Sequence, residues 1–408
     1  MAGLTESDYD AVVVGGSLAG CAAARLLALR GARVALVEKR SARAAYKVVC
    51  THNIQAGAVP AMERLGILPA MRRAGAVAVQ NDVWTRYGWI RPPDRGRRSL
   101  NLRRSALDPI VRDLAVATPG VEYLPGLAAV GLEGEDRVDG VRVSGQRGEE
   151  SLLSAKLVVA ADGRDSRMAR MARVPARTRA HNRFCYFSYF ENVPLSDPDR
   201  GKIWFSDPDV AYIQPNEEGV SMIAVMVAKQ RLAEFRADPE SAVRARFRTL
   251  ADAPSLESAR LIAKWFGKLD MPSTLRPAAA RGMAFVGDAA QASDPLFGVG
   301  CGWAFQSADW LAEEVGGALS GSDRELARAL LAYRRRHRRE LGAHHWIISD
   351  HSTGRRFSPI EKLVYSTAPH DPELSARLED FATRSVGGIA GTRRMVARAA
   401  AVRLGLAR

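Results

Sequence analysis

Residues 10–38 constrain the fold most. They read as a buried strand (AVVVG), a glycine turn, a small-residue helix (GCAAARLLALRG) closed by Gly31, and a second buried strand (ARVALVEK). This is one βαβ unit. Its turn delivers the chain to a helix N-terminus, where unpaired N–H groups and the helix dipole attract a pyrophosphate. In the G-x-G-x-x-G pattern the first glycine makes the turn and the second lets the phosphate approach. The third lets helix and strand lie close. Here the frame is Gly15, Gly16, Ser17, Leu18, Ala19, Gly20, with serine in the second glycine's place. Serine is small and its hydroxyl can donate to a phosphate, so it limits close approach without abolishing binding. Glu38 ends the second strand, where an acid binds ribose hydroxyls and disfavours a 2′-phosphate. The site therefore favours NAD or FAD over NADP.

Two later stretches repeat the pattern of a buried strand ending in an acid. In VVAADGRDS (158–166) the acid is Asp162, which can bind a ribose or order its own turn. In FVGDAAQASDPLFGVGCGWAFQSADWL (285–311) it is Asp288, suited to ribityl hydroxyls. Pro295, Gly298, Gly300 and Gly302 then precede a helix whose N–H groups can face an electron-rich flavin carbonyl.

Between these landmarks the 408 residues divide. Helices are expected near 56–66 and 104–116. EYLPG, AAVGLEGE and GVRVSG alternate like an antiparallel ribbon. Residues 184–227 hold four β-rich runs with no helix between them, an antiparallel sheet of their own. From 324 onward the pattern is helical. The expected fold is α/β, a Rossmann-like dinucleotide-binding domain with an inserted antiparallel-sheet substrate domain and a helical C-terminus. The dinucleotide-binding part takes 1–80, 97–178 and 272–332, the sheet lobe 81–96 and 179–271, and the C-terminal helices 333–408.

The polar start lacks the basic n-region of a secretory leader, and no run of uncharged apolar residues is long enough to span a membrane. A cytoplasmic protein is expected. The net charge of +14 would attract acidic partners. However, RRRHRR (334–339) lacks the interleaved aromatics of a nucleic-acid site and reads as a solvated helix face. The basic C-terminal stretch TRRMVARAAAVRLGLAR reads as a solvated helix, with a membrane or carrier-protein surface as the alternative. Cys21, Cys50, Cys185 and Cys301 are far apart and form no C-x-x-C pair, so free thiols are expected, with a covalent flavin link or redox pair as the alternative. His337, His344 and His351 recur at seven-residue steps, ~10.5 Å apart on a helix, too far to share a metal. No metal site is expected.

The glycine turn with Glu38, the Asp162-Gly163 stretch and the Gly287-Asp288 stretch, in this order and separation, resemble the FAD-dependent monooxygenases of the para-hydroxybenzoate hydroxylase fold. The resemblance runs to about residue 340. It implies a turn at Gly15 and Gly20, with Ser17, Leu18 and Ala19 on the pyrophosphate and Glu38 on the adenosine ribose. Arg104, in an R-x-x-L pattern, would contact the flavin side. Asp162 would serve both FAD and NAD(P)H, and Asp288 the ribityl chain or pyrophosphate. Pro295, Gly298, Val299, Gly300, Cys301 and Gly302 would line the ring. Gln291 stands where histidine is common, and Gly302 where asparagine is frequent. CTHNIQAGAVPAMERLGI (50–67) is similar to a segment of flavin halogenases and geranylgeranyl-reductase-like proteins, but DVAYIQP (209–215) lacks the tryptophans of the halogenase W-x-W-x-I-P motif.

The resemblance further implies non-covalent FAD, NADH or NADPH as electron donor, and transfer of one oxygen atom from O2 through a flavin C4a-hydroperoxide. The protein then orients substrate, excludes water and tunes protonation. His52 is a candidate for proton transfer or a structural histidine. Tyr212, like Tyr186 and Trp204, lies on the sheet expected to roof the substrate, as packing or as an acid or base. The function expected is a hydroxylase of secondary metabolism acting on a small organic substrate, aromatic by family analogy. A flavin halogenase, a geranylgeranyl-type ene-reductase and a non-catalytic FAD-binding protein are the alternatives. A separate flavin reductase or an acidic carrier protein is a lesser partner, and nucleic acid is not expected.

Overall fold

The computed structural model describes residues 9–406; the polar start read for a leader, residues 1–8, lies outside them. Val12, Val13 and residues 34–36 are fully buried, as strands covered on both faces must be. The parallel sheet runs, in order, Met283–Phe285, Glu150–Ala160, Tyr9–Val14, Val34–Glu38 and Val121–Pro125. Its three sequence landmarks, Gly15, Asp162 and Gly287, thus all follow the ends of adjacent strands. The helix Leu18–Ala28 is buried along nearly its whole length, its small side chains letting it sink between the sheet and the helices Gly300–Val315 and Arg104–Val116.

One expectation is corrected here. EYLPG does not join the antiparallel ribbon but forms the parallel edge strand beside Val34–Glu38. The ribbon consists of Ala128–Glu133, Gly140–Ser144 and the first half of Glu150–Ala160.

The second sheet contains the four predicted runs, as Arg183–Glu191, Arg200–Phe205, Val210–Pro215 and Ser221–Ala228. It extends through Val77–Thr85, paired in parallel with Arg200–Phe205, to Ser99–Asn101 and Asn53–Ile54. Val77–Thr85 runs unbroken through residue 80, where the expected boundary fell. Strand alternation sorts the aromatics. Trp204 and Tyr186 pack on the outer face against Phe235 and Phe247, and Tyr212 points to the inner face.

The C-terminal layer is Asp323–His351, Pro359–Thr367, Pro372–Ala382 and Gly388–Arg403. Ser322/Glu325 and Ser358/Glu361 form capping boxes, and Asp371 caps the third helix. Val364, Leu374, Met395 and Ala399 form a small core with Ile90 of the sheet lobe. No helix among the described residues is long and apolar enough to cross a membrane.

Candidate active site

The glycine turn is built as its spacing requires. Gly15 has φ +117°, and a Cβ there would lie 2.4 Å from the carbonyl oxygen of Ala161. A Cβ on Gly20 would lie 1.8 Å from the Gly15 oxygen, so turn and helix are in backbone contact. The first N–H bonded within the helix is that of Cys21, to Ser17 O at 2.9 Å, which leaves Leu18, Ala19 and Gly20 without intrahelical acceptors. Ser17 makes no side-chain cap. Its hydroxyl faces sideways, accepting from Arg104 Nη2 at 2.9 Å and donating to Asp108 Oδ2 at 3.4 Å. Glu38 accepts from the Gly16 N–H at 2.7 Å and the Arg40 N–H at 2.9 Å, and these bonds with the Arg40 guanidinium outweigh burial and hold its pKa low.

Two residues without a sequence signal complete the turn. Asp108 receives Arg104 Nε and Nη2 at 2.5 and 2.9 Å and the Lys47 N–H at 3.0 Å. Fully buried Arg112 donates to the Gly16 oxygen at 3.1 Å and to the Ala45 oxygen at 2.7 Å, tying the turn to the loop before Lys47. Asp162 orders its own turn. Its carboxylate accepts from Ser166 Oγ at 2.6 Å and the Met168 N–H at 3.0 Å.

A second helix start stands beside the first. Gly287, at φ +56°, would place a Cβ 2.8 Å from Ala19. Asp288 pairs with Lys47 Nζ at 2.8 Å, and that cation holds its carboxyl low against burial. The helix Gly300–Val315 has no side-chain cap, and its first internal bond is Trp303 N to Val299 O at 3.0 Å. The N–H groups of Gly300, Cys301 and Gly302 thus lack intrahelical acceptors. Two uncapped N-termini, one near Glu38 and one near Asp288, make a donor set that fits a dinucleotide flavin.

The loop before this helix is gripped from three sides. Asp294 accepts from the Leu296 N–H at 2.9 Å and pairs with Arg183 at 2.6 Å and His181 at 3.3 Å, all three side chains fully buried. Despite burial, these partners lower its pKa to about 2. Tyr212 donates to the Leu296 oxygen and Gln55 to the Phe297 oxygen. Tyr212 is therefore a clamp on the loop that carries Pro295 and Gly298. Asp294 was missed because an acid before proline reads as an ordinary turn; its distant partner Arg183 carries no motif.

His52 sits between these parts, at φ +60°. Its Nδ1 accepts the Arg104 N–H at 3.1 Å, so the neutral ring carries its proton on Nε2 and donates to Tyr189 Oη at 2.6 Å. Burial lowers the His52 pKa and raises that of Tyr189. Cys50 and Cys301, far apart in sequence, lie with sulfurs 3.4 Å apart. The Cys301 hydrogen bond and the Arg104 guanidinium pull the Cys50 pKa down. The helical histidines diverge: His344 meets the Val386 oxygen, His345 the Ala292 oxygen, and His351 stacks on Phe205.

A cavity of about 110 Å³ opens over the gripped loop. Its floor is Leu296, Phe297 and Gly298, one wall is Ile203, Phe205 and Tyr212, and the C-terminal helices contribute Tyr365 and Leu378 to another.

The family model described as FAD binding domain matches residues 8–344. Digeranylgeranylglycerophospholipid reductase 1 of Methanothermobacter thermautotrophicus is 28% identical over 349 residues, covering 82% of this chain and 84% of that protein. Kynurenine 3-monooxygenase of Salinispora arenicola is 28% identical over 394 residues, covering 90% and 84%. The solved flavin-dependent brominase Bmp2 superposes with a TM-score of 0.81 at 18% identity, covering 96% of this chain and 98% of that one.

Proposed function

The chain belongs to the FAD-binding-domain family, and from that premise we propose that it is an NAD(P)H-dependent monooxygenase placing one oxygen atom of O2 on a small, compact ring compound. The observation that carries this is the cavity. An apolar cavity of roughly 150 Å³ holds benzene, so about 110 Å³ walled by Val83, Ile203, Phe205 and Leu378 suits a single ring. A digeranylgeranyl chain is several times larger.

Bound non-covalently, FAD would supply electron transfer from NAD(P)H and activation of O2. The chain's residues do the rest. The N–H groups of Leu18, Ala19 and Gly20 receive the pyrophosphate, Glu38 the ribose, and Asp288 the ribityl chain. Arg104, held by Asp108 and Ser17, keeps a positive charge beside that path. Asp294, Tyr212 and Gln55 hold the loop that lines the floor of the substrate cavity. The helices Pro359–Thr367 and Pro372–Ala382 line the cavity from above and shield the substrate there from water.

The test is NAD(P)H oxidation with and without small aromatic compounds. Stimulation by one of them, with matching O2 consumption, is expected, and Asp288→Ala should lose FAD. Oxidation indifferent to every ring compound would contradict the proposal. Reduction of a carbon–carbon double bond is the second reading, favoured by the 28% identity to the reductase; it predicts a product formed equally well without O2.

A further inference from the structure

We propose that Cys50 and Cys301 form a reactive dithiol, which hydrogen peroxide closes to a disulfide and a small external dithiol reopens. The two residues are 251 positions apart, yet their sulfurs stand 3.4 Å from each other. Two further bonds hold together the pieces that carry them. Gln55, five residues after Cys50, donates to the Phe297 oxygen just before the Cys301 helix. Gln306, on that helix, donates to the Gly57 oxygen at 2.9 Å. The sulfurs therefore meet as part of the folded chain, and the entropy of closing so long a loop is met by folding, not by the reaction.

The two members are unequal. Cys50 is partly exposed, at the end of the exposed stretch 46–48, whereas Cys301 is 5% exposed. The Cys50 sulfur accepts from the His52 N–H at 3.3 Å, and Arg104 Nη1 stands 3.9 Å from the Cys301 sulfur. Cys301 also lies in the first turn of Gly300–Val315, where unpaired N–H groups favour negative charge. These surroundings stabilise one thiolate on the pair, and the thiolate is the reactive form. Cys50 takes that charge, and Cys301 keeps its proton and donates it to the Cys50 sulfur. Cys21 and Cys185 differ. Both are buried, and burial pushes each thiol up to about 12. They serve as unreactive controls within the same chain.

The chemistry takes two steps. The Cys50 thiolate attacks one oxygen of hydrogen peroxide. The O–O bond breaks, hydroxide leaves, and Cys50 becomes a sulfenic acid. The Cys301 sulfur then attacks Cys50 Sγ. The S–O bond breaks, the S–S bond forms, and the hydroxyl leaves as water with the Cys301 proton. In sum, two thiols and one hydrogen peroxide give one disulfide and two waters. The sulfurs lose two electrons and the peroxide oxygens gain them. A small dithiol reverses the closure by thiol–disulfide exchange and is itself oxidised.

The test treats the FAD-loaded protein with hydrogen peroxide, removes the peroxide and titrates free thiols in denaturant. The four free thiols of the native chain should fall by two and return in full after dithiothreitol. Proteolysis and mass spectrometry should find the Cys50 peptide joined to the Cys301 peptide, lighter than their sum by two hydrogens. In Cys301→Ser the sulfenic acid has no partner, so dimedone should label Cys50. In Cys50→Ser, dimedone should not label Cys301. Thiols untouched by peroxide, a link between other cysteines, or a loss that dithiothreitol does not reverse overturns the proposal. Dimedone on Cys301 but not on Cys50 overturns it too. If a variant does not fold, the thiol count and the cross-link of the native protein decide.

Discussion

Ser17 shows how a residue can depart from a motif and still serve it. From the sequence it reads as a substitution that narrows the phosphate approach. In the structure its hydroxyl turns to Arg104 and Asp108, leaving the helix N–H groups clear. Ser17→Gly should therefore keep FAD, as read from the absorbance of the purified protein. Arg104→Met should be far more damaging, because it strands the buried Asp108 carboxylate. Breaking such a pair costs about 3–5 kcal/mol, measurable in urea unfolding. The R-x-x-L pattern made Arg104 legible, whereas nothing marked Asp108, Arg112 or Asp294, each of which has a partner 90 or more positions away: Ser17, the Gly16 oxygen and Arg183. The meeting of Cys50 with Cys301 was hidden for the same reason.

At the level of elements, period and burial made the parallel strands and long helices legible. They misled at Val121–Pro125, where an edge strand alternates between half-buried and exposed as a ribbon strand would. The helix Asp323–His351 carries a consequence for pH. Burial depresses His337 to about 4, His344 to about 3 and His345 to about 4. Unfolded histidine titrates near 6.5, so between there and about 4 the unfolded chain binds more protons. The stability from keeping these rings neutral is present above about pH 7 and is lost as pH falls through that window. Melting temperature should drop from about pH 7 to about pH 4.5, and less steeply in His337→Phe; a parallel decline in both proteins would contradict this.

At the scale of the whole molecule, the cavity is assembled by three separate parts of the chain: the sheet lobe, the 294–298 loop and the C-terminal helices. The sequence showed those helices but not that they fold over the 294–298 loop, because short capped helices carry no record of which surface they cover. Leu378→Trp should fill the cavity, abolish stimulation of NAD(P)H oxidation by ring substrates and leave FAD content unchanged. An effect on FAD instead would place the lid elsewhere. The most direct test of the oxygenase account is turnover of a stimulating ring compound under heavy-isotope O2, with the product weighed by mass spectrometry. One heavy oxygen atom per product molecule is the expected result. A product that has gained two hydrogens and no heavy oxygen, or one that forms only when halide is present, would contradict it.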